Sequence, residues 1–509
     1  MKIYFFPFIY CLLFTFSSIA QTQTKQVEIL HANTLEHDEG LGKDVQRLIG
    51  DVRLKDGNTL LYCDSAYKYP DNNIDAFGNV RIQQGDSLTI YGQFLKYNSN
   101  TSMAEIHKNI RLIQKGTTLQ TELLYYDMSS RMVNYPNGGT ITSKQNVLTS
   151  DHGYYNPKTK IFSFKKNVVL TNPQYVIYCD TLNYSSENNT AYFLGPTRIK
   201  NKDNLIYCES GWYNTDNDNA QFSKNASIIT PERKMAGDSI HYDRINKIGT
   251  AFGNVSITDS AQSIIVTGDR ALLLEKKETS IISGHALLKQ FYGSDTLFLH
   301  ADTLRTVDEH PFNKKNEADT SVTWRILYAY HKVKFYRTDI QGSCDSLVYS
   351  GKDSIMRLYK QPIIWSEKNQ LIARKIELKT SGGEITTMFL KEAALIVSKE
   401  DSVKYNQIKG KEMTGYFKNN KLSRIYVEGN GQTIYFAKDK EKKIGINKAD
   451  CSNLIIYLKE NAIEKITFLK KPDATLFPMK DFVPKEFLLK EFVWRENERP
   501  LSVADIFSK

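Results

Sequence analysis

Apolar and polar positions alternate with period two along most of this chain, in runs rich in Tyr, Ile, Leu, Val and Thr. Polar turn clusters such as Asn98-Ser99-Asn100, Asn156-Pro157-Lys158 and Asp216-Asn217-Asp218-Asn219 separate the runs. This is strand patterning, and no convincing amphipathic helix precedes the extreme C-terminus. A short motif recurs within the runs: a small residue, then a carboxylate or amide, then an apolar residue two places on and often Tyr two further. Asp64, Gln93, Glu122, Asp151, Asp180, Glu209 and Asp238 hold its second position at a constant step of 29 residues. The beat loosens but continues through Asp269, Asp302, Asp345, Arg374, Glu412 and Asp450. A fixed period over most of a chain implies one supersecondary unit stacked on copies of itself.

The alternation breaks at the motif. Three residues before the carboxylate stand Leu61, Ile90, Leu119, Leu148, Ile177, Ile206, Met235, Val266 and Leu299. After it the apolar positions are two and four residues on, as in Leu95/Tyr97, Leu124/Tyr126 and Leu182/Tyr184, with the opposite parity. Strict alternation cannot put both sets on one face, so the chain must shift phase at the carboxylate, as a bulge or sharp bend does. A second corner recurs halfway round each copy, as Gly78-Asn79-Val80, Lys166-Asn167-Val168 and Gly253-Asn254-Val255. Gly and Asn tolerate the positive φ of a tight bend. Each repeat is thus expected to be a hairpin of two bent strands. Stacking gives two sheets meeting at a fold, an aliphatic groove between them, and exposed edges only at the two ends. The repeated acidic residue is expected to bond backbone N–H groups at the bend. The Tyr four places after it reads as core in preference to groove rim.

Residues 1–20 read as a signal peptide: Lys2, an apolar run from Ile3 to Phe16, and Ser18-Ile19-Ala20 before a mature start at Gln21. Tyr10 before Cys11 is too bulky for a lipoprotein processing site, and no later stretch is apolar enough for a membrane span. The mature product is therefore expected to be exported, without a transmembrane span. Residues 21–305 form a first repeat region, 306–325 a polar insertion or junction, and 326–470 a second repeat region. Residues 471–509, broken by Pro472, Pro478 and Pro484 and rich in Phe, form a cap on the open edge or a docking tail. The net charge of +10 is scattered over Lys and Arg, which suits a solvated sheet surface or attraction to an anionic partner such as lipid phosphates.

Cys63, Cys179, Cys208 and Cys344 each precede the repeat carboxylate, where other copies have Gly, Ala, Ser or Thr. The slot is steric, and buried thiols fill it; a Cys179–Cys208 disulfide between neighbouring copies stays open as the alternative. A residue repeated in nearly every copy serves what every copy needs, so the acidic positions do not single out a catalytic pair. Gly-x-Ser-x-Gly, His-Glu-x-x-His and phosphate loops are missing from the sequence, as are Gly-Gly-x-Gly-x-Asp calcium repeats. The reading is non-enzymatic, with no cofactor, no metal and no nucleic-acid partner.

The Gly78-Asn79-Val80-Arg81-Ile82 and Gly253-Asn254-Val255-Ser256-Ile257 elements, with Asp180-Thr181-Leu182-Asn183-Tyr184 and its copies, resemble the OstA-like family of periplasmic proteins related to LptA and the N-terminal domain of LptD. The closing Leu489-Lys490-Glu491-Phe492-Val493-Trp494 and Arg499-Pro500 also look like the end of long OstA-like proteins. The resemblance implies a V-shaped β-jellyroll whose cleft shields the acyl chains of lipopolysaccharide. It also implies a periplasmic location, with outer-membrane association, and end-to-end strand pairing with other lipopolysaccharide-transport proteins. The chain is much longer than LptA, and its C-terminal tail lacks the alternating strands with aromatic girdles of an outer-membrane barrel. Lipid contact is expected along Leu61, Ile90, Leu119, Leu148, Ile177 and Ile206. The alternative is a structural or adhesive β-solenoid of the cell envelope with its interior packed shut. Both line the interior with Leu and Ile.

Overall fold

Each expected corner is a β-bulge. Gly50 and Asp51 together oppose the single Asp64, because Ile49 pairs with Ser65 and Val52 with Cys63. Gly78 and Asn79 likewise oppose Gln93, and Gly253 and Asn254 oppose Asp269. The two residues on the bulged side both take left-handed conformations, with φ of 73° and 45° at Gly78 and Asn79, and 60° and 50° at Lys166 and Asn167. One extra residue per corner inverts the phase of the pleat. Leu61 and Cys63 before the corner and Ala66 after it are accordingly all buried.

The structure, a computed structural model, describes residues 27–508 except 38–39, 41, 86–87, 232, 294, 312–321, 419–420, 440–441 and 460–461. The expected signal peptide and most of the polar insertion lie outside these residues. The strands flanking the insertion, Asp295–Glu309 and Trp324–Tyr336, pair directly with each other. The pairings named here are antiparallel, and the fold is all-β, a stack of bent hairpins of the jellyroll type. Packing divides the chain into one unit ending at Pro173 and another beginning at Gln174.

The acidic residue of the motif clamps the corner of the neighbouring strand. Asn79 Nδ2 donates to Asp64 at 2.9 Å, Asn167 to Asp151 at 2.9 Å, Asn225 to Glu209 at 2.9 Å, and Asn254 to both oxygens of Asp238 at 3.1 Å. His285 takes the same place against Asp269. The expected backbone partner occurs at Glu122, which accepts from Asn109 N at 3.2 Å. Elsewhere in this set the left-handed pair aims the Asn side chain at the carboxylate, so the side-chain amide is the donor.

Two late copies sit out of the register read from the sequence. Lys411, not Glu412, opposes the bulged pair Glu392-Ala393, and Ser452, not Asp450, opposes Gly429-Asn430. Cys451 then joins the other four cysteines in the small slot before the corner. All five thiols are buried and free. Cys179 and Cys208 both pair with Thr197, which stands between them. Two strand spacings, about 9.5 Å, exceed the reach of a disulfide. Burial pushes the thiols of Cys63, Cys179 and Cys344 up to about 12 and that of Cys208 to about 11.

In the second unit the chain end lies against the sheet. Gln341, Gln370 and Gln407 share one register position, four residues before the corners at Asp345, Arg374 and Lys411, on the face opposite the aliphatic row. Gln407 donates to the carbonyl of Phe487 at 2.9 Å and accepts from Leu489 N at 2.8 Å. Gln370 repeats the pairing with Val493 O and Arg495 N, both at 2.7 Å, and Gln341 accepts from Arg499 Nε at 2.8 Å. Phe487 and Leu489 pack with Ile434, Phe436 and Ile446. Farther along, Phe507 meets His300 with ring centroids 4.6 Å apart. Residues 487–507 thus run back over several strands, fixed by three buried amides.

Two outcomes follow from the corners. A Cβ on Gly78 would lie 2.3 Å from Asp64 Oδ2, whereas one on Gly57, also at positive φ, meets open space. Gly57→Ala should cost about 1 kcal/mol from backbone strain, and Gly78→Ala roughly 1–2 kcal/mol more. Urea midpoints for the two variants measure this, and equal losses would remove the close approach from the account. Thiol titration with a disulfide reagent at pH 8 should find Cys63, Cys179, Cys208 and Cys344 unreactive until the protein is unfolded.

Candidate functional site: the groove between the two arms

Each corner divides its strand into two arms. The A arm holds the residues preceding the motif carboxylate and following Gly-Asn; the B arm holds the rest. Because the bulge inverts the pleat, apolar residues of both arms face the space between them.

In the first unit that space is packed and its mouth is bridged. Leu61, Ile90, Leu119 and Leu148 are all buried, as are Leu95 and Leu124 of the B arm. Tyr97, from the B arm, donates its hydroxyl to Asp56 at the end of an A arm. Tyr126 does the same to Gln84 Oε1, and Gln84 Nε2 donates to Met128 O at 3.0 Å. The Tyr residues four places after the motif are therefore core and rim at once: their rings are buried and their hydroxyls reach the opposite arm. Burial pushes the Tyr126 phenol up to about 12.

The second unit differs. Ile177 is buried, but Ile206 is half-buried, and so are Ile199, Ile228, Met235, Ile257 and Val266 on the same arm. Tyr213 and Tyr242 bond instead to Asp218 and Glu275 of their own arm. Beyond this half-exposed row a cavity of about 360 Å³ lies between the arms. Ile257, Val266, Leu288 and Leu299 line it from the A arm, and Ile282, Leu304, Leu327 and Leu378 from the B arm. None of the six residues expected to touch lipid lines this cavity. Val266 and Leu299 continue their row, so the cavity occupies the same register position farther along.

Charged side chains stand at the ends of the cavity. Arg325, on a B arm, pairs bidentately with Asp308 at 2.7 and 3.0 Å and reaches across to Asp259 on an A arm at 3.2 Å. Arg233 meets the same Asp259 oxygen at 3.4 Å. The hydrogen bonds that Arg325 donates to Asp308 lead the factors that raise its pKa, so the guanidinium keeps its charge. At the other end Arg337 holds Asp339 at 2.6 and 3.0 Å and donates to Gly383 O on the B arm at 3.1 Å. The Tyr292 ring stands where a Cβ on Gly383 would be, at 2.4 Å. Sequence reasoning missed these rim residues. Their only signal was a charged residue at the far end of an arm.

An all-β stack of bent hairpins enclosing an apolar groove, with polar side chains along its rims, defines a groove-type β-jellyroll. Family profiles match the chain as OstA-like protein over residues 24–180 and 174–238, and as LptA/(LptD N-terminal domain) LPS transport protein over residues 265–384. Together they span well over half of it, and the chain belongs to the OstA-like family. No curated protein sequence matches it. Among solved structures, LptH, the LptA homologous periplasmic component of the conserved lipopolysaccharide transport device from Pseudomonas aeruginosa, is similar at 20% identity and a TM-score of 0.20. The match covers 22% of this chain and 82% of that one. Among the described residues no helix is long and apolar enough to cross a membrane.

The contrast between packed and open copies is measurable at one register position. Val266→Trp, beside the cavity, should change unfolding free energy by less than about 1 kcal/mol, whereas Ile90→Trp, in the packed interior, should cost roughly 1–3 kcal/mol or more. Equal penalties in urea denaturation would mean that the cavity does not persist in solution.

Proposed function

We propose that this protein is a non-enzymatic periplasmic component of lipopolysaccharide transport that carries lipid A acyl chains in the groove of its second unit. The half-buried aliphatic row from Ile199 to Val266, leading to the cavity between the arms, carries this reading. Each methylene removed from water contributes about 0.8 kcal/mol, so an aliphatic trough holds acyl chains by burial alone, without chemistry. Membership of the OstA-like family supports lipopolysaccharide as the cargo and the periplasm as the place. Of the expected contact residues, Ile206 and Ile177 belong to this unit, and Ile206 is the more accessible. Leu61, Ile90, Leu119 and Leu148 fit the same role only if the bridged mouth of the first unit opens. As they stand, that unit fits the structural reading with a closed core. The short first strands, Glu28–His31 and Thr34–His37, pair with Gln46–Asp56, and their outer edge suits end-to-end pairing with another transport protein.

The test is photocrosslinking in the native cell, with the probe at Ile206 or Val266 and, as control, at outward-facing Tyr178, which is 51% exposed. Lipopolysaccharide adducts at the two groove positions and none at Tyr178 are expected. Folded protein without a lipid adduct at either groove position would mean that the unit is structural.

A further inference from the structure

The rim of the cavity carries an arrangement that a passive apolar trough does not need. Asp259 is 9% exposed and lies at the end of its A arm, two residues beyond the cavity-lining Ile257. Its Oδ2 accepts from Arg325 Nη1 at 3.2 Å and stands 3.4 Å from Arg233 Nε. A carboxylate is thus held between two guanidinium groups at the top of an apolar shaft. Arg325 crosses from the opposite arm to make this contact, joining residues 66 apart in sequence. Asp308 holds Arg325 in place through the other edge of its guanidinium. Gln262, Gln290, Thr306 and Thr323 complete a polar collar above the aliphatic lining.

We infer that Arg233 and Arg325 form a headgroup site for an anionic amphiphile, a lipid whose acyl chain enters the cavity and whose phosphate or carboxylate takes the place of the Asp259 carboxylate. This rests on the acyl-binding reading above and specifies the chemistry of the cargo at that groove. The exchange replaces one charge-assisted pair by another. Arg325 stays anchored on Asp308, and Asp259 turns its Oδ2 away while its Oδ1 keeps the bond it accepts from Gln262 N at 3.1 Å. The same contact joins the two arms, so displacing Asp259 also releases the bridge across the groove mouth. Arg233 is the looser cation, with 43% of its side chain exposed and its contact with Asp259 at 3.4 Å, so it is the first to meet an incoming anion. A volume of about 360 Å³ is near the lower bound for small-molecule pockets, which suits one acyl chain at a time.

Calorimetric titration of the full mature chain with dodecyl phosphate, dodecanol and inorganic phosphate tests the site. Wild type should bind dodecyl phosphate about ten-fold more tightly than dodecanol, and inorganic phosphate only weakly. Arg233→Gln should erase the preference while leaving dodecanol affinity unchanged, which a general loss of fold would not do. Val266→Trp should weaken both amphiphiles together. Equal affinity of wild type for dodecyl phosphate and dodecanol would overturn the headgroup site yet leave the acyl groove standing. So would an Arg233→Gln protein that keeps the preference. Binding of neither amphiphile, with lipopolysaccharide still crosslinking at Ile206, would overturn the headgroup site alone. Loss of both crosslinking and titration would remove the groove reading with it.

Discussion

One extra residue per corner decides the architecture. Without it, the apolar positions before and after the acidic residue would face opposite sides of the sheet and each strand would need two separate cores. The bulge inverts the pleat, so that both arms turn their aliphatic side chains to the same interior. Two consecutive left-handed residues are costly for any side chain but Gly or Asn. The carboxylate on the neighbouring strand offsets part of that cost by accepting from the corner Asn, as at Asp64–Asn79 and Asp238–Asn254. The small residue before the carboxylate follows from the same geometry: on Gly92 a Cβ would lie 2.5 Å from Ile106, and on Gly268 2.6 Å from Ile282. Carboxylate, small slot and Gly-Asn pair are therefore one device shared by two neighbouring strands.

A groove made this way is open by construction, and its copies differ in how the mouth is treated. In the first unit Tyr97 and Tyr126 reach the opposite arm and the aliphatic row beneath is buried. Around Ile206 the equivalent tyrosines Tyr213 and Tyr242 bond to their own arm, and the row stays half-exposed. Around the cavity arginines replace tyrosines as the bridging groups. A phenol bonded across a packed interior is a permanent closure, since freeing it strands a buried polar group. A largely buried guanidinium–carboxylate bridge such as Arg325–Asp259 opens at low cost only where another anion takes the place of the carboxylate.

These differences explain what the sequence disclosed and what it hid. Strand content, period, the two corners and the small slot repeat many times, and a repeated steric or conformational demand leaves a repeated residue type. The reading slipped at Glu412 and Asp450, where the period had loosened and an acidic neighbour satisfied the pattern in place of Lys411 and Ser452. The state of the groove was hidden for a different reason. Ile90 and Val266 occupy the same register position and are both aliphatic, yet one is buried in a packed interior and the other lines a cavity. What separates them is the pairing of single rim residues, such as Asp259 with Arg325, that no local pattern connects. The three glutamines under the chain end escaped notice for the same reason, since Gln370 meets Val493 and Arg495 across more than a hundred residues.

The proposed acyl-chain cargo would also limit how deep the groove can be. At about 0.8 kcal/mol per methylene, a fully enclosed chain of a dozen carbons would gain roughly 10 kcal/mol and leave slowly. A half-exposed row buries each methylene only in part and holds the same chain several kcal/mol less tightly. The stretch from Ile199 to Met235 is of the second kind, and the cavity that Ile257 and Val266 border surrounds a chain more completely. A transport component needs both: enough enclosure to take a chain from water, and an adjoining shallow stretch from which it can be passed on. A solenoid packed shut throughout would offer neither. The second unit of this chain departs from that arrangement at the positions where cargo would have to enter.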